Sequence, residues 1–81
     1  MASYHHDKAM KAAYLIAEAL ERLTGYSASV ISRLSLPSET KSITIECNCY
    51  VTYAIGSTWK DIAEQLACAW RAVRTIEELR S

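Results

Sequence analysis

The chain has 81 residues and a mass of 9.1 kDa, which allows one small domain with a thin hydrophobic core. Hydrophobic residues make up 51% of it and charged residues 22%, a balance that suits a globular chain and argues against disorder or a low-complexity tail. Nine basic residues offset nine acidic ones, so the formal net charge is zero, and nonspecific binding to nucleic acid or to an anionic membrane is disfavoured.

The first predicted element is an amphipathic helix over residues 7–23. Its apolar residues recur at steps of three and four positions, which places them on one side of the helix. Gly25 follows, and glycine readily adopts the left-handed conformation that often ends a helix. The apolar stripe consists of Ala9, Ala13, Ile16, Leu20 and Leu23.

Two strands are predicted next, because the apolar period changes from helical to alternating. The first covers residues 28–36, and a turn over residues 37–40 contains the only proline, Pro37. The second covers residues 43–55 and is unusually long. Its alternation predicts one buried face, formed by Ile43, Ile45, Cys47, Cys49, Val51, Tyr53 and Ile55.

The two predicted strands differ in length, and this difference predicts a homodimer. Pairing across the turn matches Val30 with Cys47, which leaves residues 50–55 without a strand opposite. Because an open apolar edge promotes pairing with another chain, we expect two copies to join there through Val51, Tyr53 and Ile55. In a monomer, the connection over residues 24–29 would cover this segment, or a turn near Asn48 would fold it back as a third strand.

A second amphipathic helix is predicted after Ser57 or Thr58, either of which can cap it. Its packed part is expected to end near Ile76. The order helix, strand, strand, helix predicts an α+β fold: one αββα domain over residues 1–81, with both helices on one face of an antiparallel hairpin and with residues 1–6 and 78–81 frayed. The expected core residues are Ile16, Leu20, Ile45, Val51, Leu66 and Val73.

The three cysteines do not predict a metal site. Cys47 and Cys49 share the predicted buried face, whereas Cys68 lies on the polar side of the second helix, and a tetrahedral site needs about four converging ligands. An odd number of cysteines and a start without a hydrophobic signal region predict a reduced, cytoplasmic setting. No membrane association is expected, because the longest apolar run is far shorter than the ~18 residues of a membrane span.

Catalysis and cofactor binding are not predicted either. His5 and His6 are the only histidines, and they lie near the N-terminus, where a catalytic pair would be poorly held. Gly25 and Gly56 are the only glycines, which excludes the glycine-rich loops that bind nucleotide phosphates. The sequence therefore predicts a protein that is not an enzyme.

Two surfaces are candidates for binding a partner. One is the polar outer side of the sheet, and the other is a basic flank of the second helix that also includes Lys60. The residues predicted to contact a partner are Arg33, Glu46, Tyr50, Arg71 and Arg74.

The predicted function is a small protein-interaction module that covers a partner's surface. Compact proteins of this size without catalytic motifs include phage-encoded inhibitors of host defence, such as anti-CRISPR proteins, so inhibition of a host protein is an expectation drawn from size alone. The alternative is a homodimer that binds nucleic acid through the basic flank of the second helix. Glu64 and Glu78 are interleaved with that flank and weaken this alternative.

Overall fold

Five elements form the structure of residues 4–80, obtained as a computed structural model. The three strands make one antiparallel sheet with the second strand at its centre, and both helices pack against it. The predicted α+β fold class is confirmed, with three strands in place of the predicted two. The elements are α1 (Tyr4–Thr24), β1 (Ala28–Ser35), β2 (Thr40–Cys47), β3 (Tyr50–Gly56) and α2 (Trp59–Arg80).

A turn breaks the strand that was predicted to be continuous. Asn48 and Cys49 form this turn, and it brings Tyr50 opposite Cys47. Asn48 has a φ of 56°, the positive value that two-residue hairpin turns require and that asparagine tolerates better than most residues. The segment predicted to lack a partner strand therefore pairs with β2 in the same chain, so the sheet is complete without a second copy.

The turn also reverses the face on which the odd-numbered residues lie. Opposite residues in a sheet share a face, so Tyr50 points to the same side as Cys47, and Val51 points to the other. Val51, Tyr53 and Ile55 are 62%, 56% and 45% exposed. The predictions that Val51 belongs to the core and that one apolar face runs over residues 43–55 are wrong.

The pairing of β1 with β2 differs from the predicted register by two residues. Val30 lies opposite Ile45, where Cys47 was predicted, and the connecting turn covers residues 36–39. Because side chains alternate with a period of two, a shift by two residues keeps every side chain on its expected face. The faces of β1 are therefore as predicted.

The core lies between the sheet and the two helices. Alanines line the side of α1 that meets the rest of the core, so the helix backbone can approach its neighbours closely. Leu20 and Val73 are partly buried against this core. The largest fully buried side chains are Ile16, Ile43, Ile45, Ile62, Leu66 and Cys47.

The two helices run parallel, because an odd number of strands connects them. The centre of the His6 ring lies 4.6 Å from the centre of the Trp59 ring, near the start of both helices. Near their ends, Arg22 Nε lies 2.9 Å from Glu77 Oε2. Within residues 4–80, neither helix has a stretch long and apolar enough to cross a membrane.

The helix ends follow local chemistry that the sequence indicated. Gly25 has a φ of 80° directly after α1, and the Thr58 hydroxyl accepts a hydrogen bond of 3.2 Å from the backbone N–H of Asp61 at the start of α2. Residues 4–6 and 78–80, which were expected to fray, belong to the helices. Residues 1–3 and 81 of that prediction lie outside the described part of the chain.

Candidate interaction surface

The sheet has one face that no helix covers within residues 4–80. We call it the outer face, and it is formed by every second residue of the three strands. A shallow concavity of about 350 Å³ lies on it. The outer face comprises Ser29, Ile31, Arg33, Ser35, Thr40, Ser42, Thr44, Glu46, Val51, Tyr53 and Ile55.

An apolar row runs along β3 on the outer face. It consists of Val51, Tyr53 and Ile55, which follow one another at about 7 Å per step along the strand. Single exposed apolar side chains are ordinary, but adjacent ones form a patch that often marks a contact surface. The three residues predicted to contact a second copy are thus brought together, although they lie on a sheet face and not in an unpaired overhang.

Two opposite charges lie at different ends of the outer face. Arg33 is opposite Ser42, four residues before Glu46 on the neighbouring strand, so strand geometry separates their Cα atoms by about 14 Å. That distance is too long for a direct ion pair. Within the described residues, neither side chain belongs to an ion pair.

The outer edge of β3 is partly capped by α2. The Gln65 side-chain amide donates to the carbonyl oxygen of Ile55 at 2.7 Å, and its oxygen accepts from the Ile55 N–H at 3.2 Å. Alternate residues of an antiparallel strand direct both backbone groups to the same side. The backbone groups of Val51 and Tyr53 therefore point to the same edge, beyond the reach of this cap.

The outer edge of β1 is capped in a similar way at one end. The Ala28 N–H donates a hydrogen bond of 2.9 Å to the Glu21 carboxylate of α1. Neither Gln65 nor Glu21 was expected to have this role, because the sequence shows only that both belong to polar sides of helices. The backbone groups that they bind are defined only by the positions of the strand edges.

Tyr50 does not lie on the outer face, so the prediction that it belongs to the polar outer side of the sheet is wrong. It faces the helix side of the sheet, because it is opposite Cys47. There it borders a groove of about 570 Å³ near the ends of the two helices. The groove is lined by Leu20, Leu23, Thr24, Tyr26, Asn48, Cys49, Tyr50, Ile76 and Arg80.

The basic flank of α2 lies on the opposite side of the molecule from the outer face. Arg74 lies 3.8 Å from the Glu78 carboxylate, and its guanidinium carbon is 6.0 Å from the centre of the Trp70 ring. Arg71 donates a hydrogen bond of 3.2 Å to the Cys68 sulfur. Arg71 and Arg74 are therefore engaged with neighbours on α2 and cannot form one surface with the outer face.

The three free cysteines occupy different surroundings. Cys47 is buried, with its sulfur 3.1 Å from the Thr24 hydroxyl. Cys49 lies in the turn and is exposed, so the prediction that it shares a buried face with Cys47 is wrong, and Cys68 is exposed as its place on the helix indicated. Among residues 4–80, no group of three or more histidine, cysteine, aspartate or glutamate side chains could hold a metal ion.

An exposed ion pair joins the two helices. Two guanidinium nitrogens of Arg22 donate to the two carboxylate oxygens of Glu77, at 2.9 and 3.2 Å. The hydrogen bond from Arg22 lowers the pKa of Glu77, and the same bond raises the pKa of Arg22. Because water screens exposed pairs strongly, we expect this pair to contribute little to stability.

Comparisons with protein-family models, with curated proteins and with solved structures found no match. The outer face combines an apolar row, two separated charges and two partly capped edges.

Proposed function

We propose that this protein is a non-enzymatic protein-interaction module whose outer face binds the surface of another protein molecule. The observation that supports this function is the apolar row of Val51, Tyr53 and Ile55, each close to or more than half exposed. Three such side chains in a row on an uncovered sheet face lose contact with water only if another surface covers them.

The energy available from this row suits a protein partner. Each of the three side chains has roughly 1 kcal/mol left to gain when the rest of its apolar surface is buried, a few kcal/mol in all. Tyr53 also combines an apolar ring with a hydroxyl, as aromatic residues in protein interfaces often do. A shallow face of this kind fits another broad surface, whereas small molecules are usually held in deeper pockets.

The biological role that we propose is inhibition by coverage. A module without chemistry of its own can act by occupying a surface that its target needs, and a phage-encoded inhibitor of a host defence protein would work in this way. We place this activity in the cytoplasm, where unpaired cysteines stay reduced. Nucleic-acid binding is less well supported, because Arg74 is engaged by Glu78 and Trp70.

Site-specific photo-crosslinking tests the proposed function. A photoreactive phenylalanine analogue replaces Tyr53 in one tagged variant and Tyr14 in the other, and both are produced in the cells that naturally contain the protein. Tyr14 is the matched control, because it is 54% exposed on α1, against 56% for Tyr53 on the outer face.

We expect a discrete crosslinked protein from position 53 and none from position 14. The mass of the crosslinked product tells whether the partner is another copy of this chain or a different protein. The absence of any protein adduct at position 53 above the level at position 14 would refute the proposed function.

A further inference from the structure

We infer that the outer face binds a second copy of this chain, with the two sheets stacked face to face around a twofold axis. This inference rests on the proposed function, because it names a second copy as the protein molecule that the outer face binds; an inhibited target that used the same face would compete with the dimer. It replaces the edge-to-edge dimer expected from the sequence, in which the apolar segment had no partner strand.

The strand register supplies a natural centre for the twofold axis. Ile31, Thr44 and Tyr53 lie opposite one another across the three strands, and they form the middle row of the outer face. One flanking row lies two residues away along the strands and ends in Arg33 and Ile55. The other flanking row lies two residues away in the opposite direction and contains Glu46 and Val51.

A twofold rotation about an axis along the middle row exchanges the two flanking rows. It places Tyr53 of one copy over Tyr53 of the other and Val51 over Ile55, so the apolar row covers itself. The same rotation places Arg33 of one copy over the N-terminal end of β1 in the other copy. This end of β1 lies next to Glu46 of that other copy. Because the operation is symmetric, each dimer contains this charge pair twice.

Charge complementarity identifies a second copy as the occupant. Within one chain Arg33 and Glu46 are about 14 Å apart and take part in no ion pair among residues 4–80. Each side chain therefore lacks the partner that the twofold arrangement supplies. The outer face carries no other charged residue, so two copies meet without net repulsion.

The size of the face sets the expected affinity. Three strands ~4.8 Å apart and eight residues long at ~3.3 Å per residue give a face of about 15 by 25 Å. Two such faces, with their side chains, bury on the order of 1,000 Å² in total, which is near the lower limit for a specific interface. We therefore expect a dimer with a dissociation constant in the micromolar range.

Edge pairing through β3 offers fewer contacts than stacking of the faces. Gln65 already occupies both backbone groups of Ile55, which leaves only those of Val51 and Tyr53 for a neighbouring strand. Face stacking uses all three side chains of the apolar row and both charges. The geometry therefore favours the stacked arrangement.

Sedimentation velocity on the purified full-length chain, from about 10 to about 500 µM, brackets the expected affinity. We expect the mass to rise from the 9.1 kDa of one chain towards twice that value. Tyr53→Lys should abolish the rise, whereas the matched control Tyr14→Lys should leave it unchanged. Circular dichroism of each variant shows that it is folded.

Charge reversal tests the twofold geometry itself. Arg33→Glu places two carboxylates beside each other twice in every dimer, and it should weaken association about tenfold. Glu46→Arg in the same chain should restore it. A dimer that is insensitive to Arg33→Glu, or one that the double reversal does not restore, would overturn the proposed arrangement.

The two proposals can fail separately. A chain that stays monomeric at every concentration would overturn the inference of a second copy, and a crosslink from position 53 to a different protein would then still support the proposed function. Loss of every crosslink at position 53, with the chain produced above the micromolar dissociation constant, would refute both. A concentration-dependent dimer that Tyr53→Lys leaves intact would show that another surface joins the copies, and would overturn the inference.

Discussion

β2 and β3 carry the same alternation of apolar residues, yet they bury opposite sets of positions. In β2 the odd-numbered Ile43 and Ile45 are fully buried, whereas in β3 the odd-numbered Val51 and Ile55 are exposed. The two residues of the turn lie between these strands. A two-residue turn reverses the side on which odd positions fall, so an uninterrupted alternating pattern does not prove an uninterrupted strand.

The helix-facing side of β3 shows why Val51, Tyr53 and Ile55 point outwards. That side contains Ala54, which is 1% exposed, and Gly56. A Cβ atom added to Gly56 would lie 3.2 Å from the Cβ of Asp61 on α2, so there is little room for a side chain. Small residues let α2 approach this end of β3 closely, and Val51, Tyr53 and Ile55 occupy the uncovered face.

The largest expected effect comes from a matched pair of isoleucines. Ile45→Ala removes a fully buried side chain and should lower the free energy of unfolding by ~2–5 kcal/mol. Ile55→Ala acts on the exposed row and should cost less than ~1 kcal/mol. Urea denaturation measures both, with the milder Ile45→Val as a control in case Ile45→Ala does not fold. Equal losses for the two alanine variants would contradict the reversed faces of β2 and β3.

A smaller effect should come from the turn between the two strands. Asn48→Val forces a β-branched residue into a positive φ and should cost ~1–2 kcal/mol. Asn48→Gly should be neutral or stabilising, because glycine adopts this conformation without strain. If the strand were continuous, the valine variant would be more stable than the glycine variant, since valine favours strands and glycine does not. Thermal or urea denaturation of both variants therefore separates the turn from an uninterrupted strand.

Much of the fold follows from the sequence because its signals are local. The two amphipathic helices, the glycine after α1 and the Thr58 cap depend on neighbouring residues, and all were predicted. The turn at Asn48 was only an alternative, because the flanking cysteines and tyrosine continue the alternation and no glycine marks the break. Two consequences depend on that turn: the parallel helices and the exposed row on β3.

The candidate surface was predictable in its residues but not in its geometry. Arg33, Glu46, Val51, Tyr53 and Ile55 were all singled out, yet they were assigned to two separate surfaces. They share one face only because the third strand pairs with β2. Tyr50 was placed on the wrong side for the same reason, and the edge cap by Gln65 depends on where α2 packs along β3.

A smaller loss still should follow removal of the edge cap on β3. Gln65→Ala deletes two hydrogen bonds to the Ile55 backbone, and because they are exposed we expect a cost of up to ~1 kcal/mol. Gln65→Glu keeps an acceptor for the Ile55 N–H but loses the donor to the Ile55 carbonyl oxygen. Its stability should therefore lie between that of the alanine variant and that of the native chain. Amide hydrogen exchange at Ile55 should accelerate in the alanine variant. An unchanged exchange rate would place Gln65 away from the strand edge.

The smallest expected effect concerns the pair between Arg22 and Glu77, which forms only if three strands make the helices parallel. Since the hydrogen bond from Arg22 lowers the pKa of Glu77 in the folded state, the pair stabilises the fold above the ~4.3 of an unfolded glutamate, and the contribution is lost as pH falls through the lowered value. Glu77→Gln should therefore be slightly less stable than the native chain in urea at neutral pH, with the difference vanishing in acid. Glu78→Gln is the matched control, because Glu78 is the neighbouring carboxylate and pairs with Arg74 on the same helix. If Arg22→Gln lowers stability at neutral pH just as much in the Glu77→Gln background as in the native chain, the two side chains do not interact, and this pair gives no evidence for the parallel alignment.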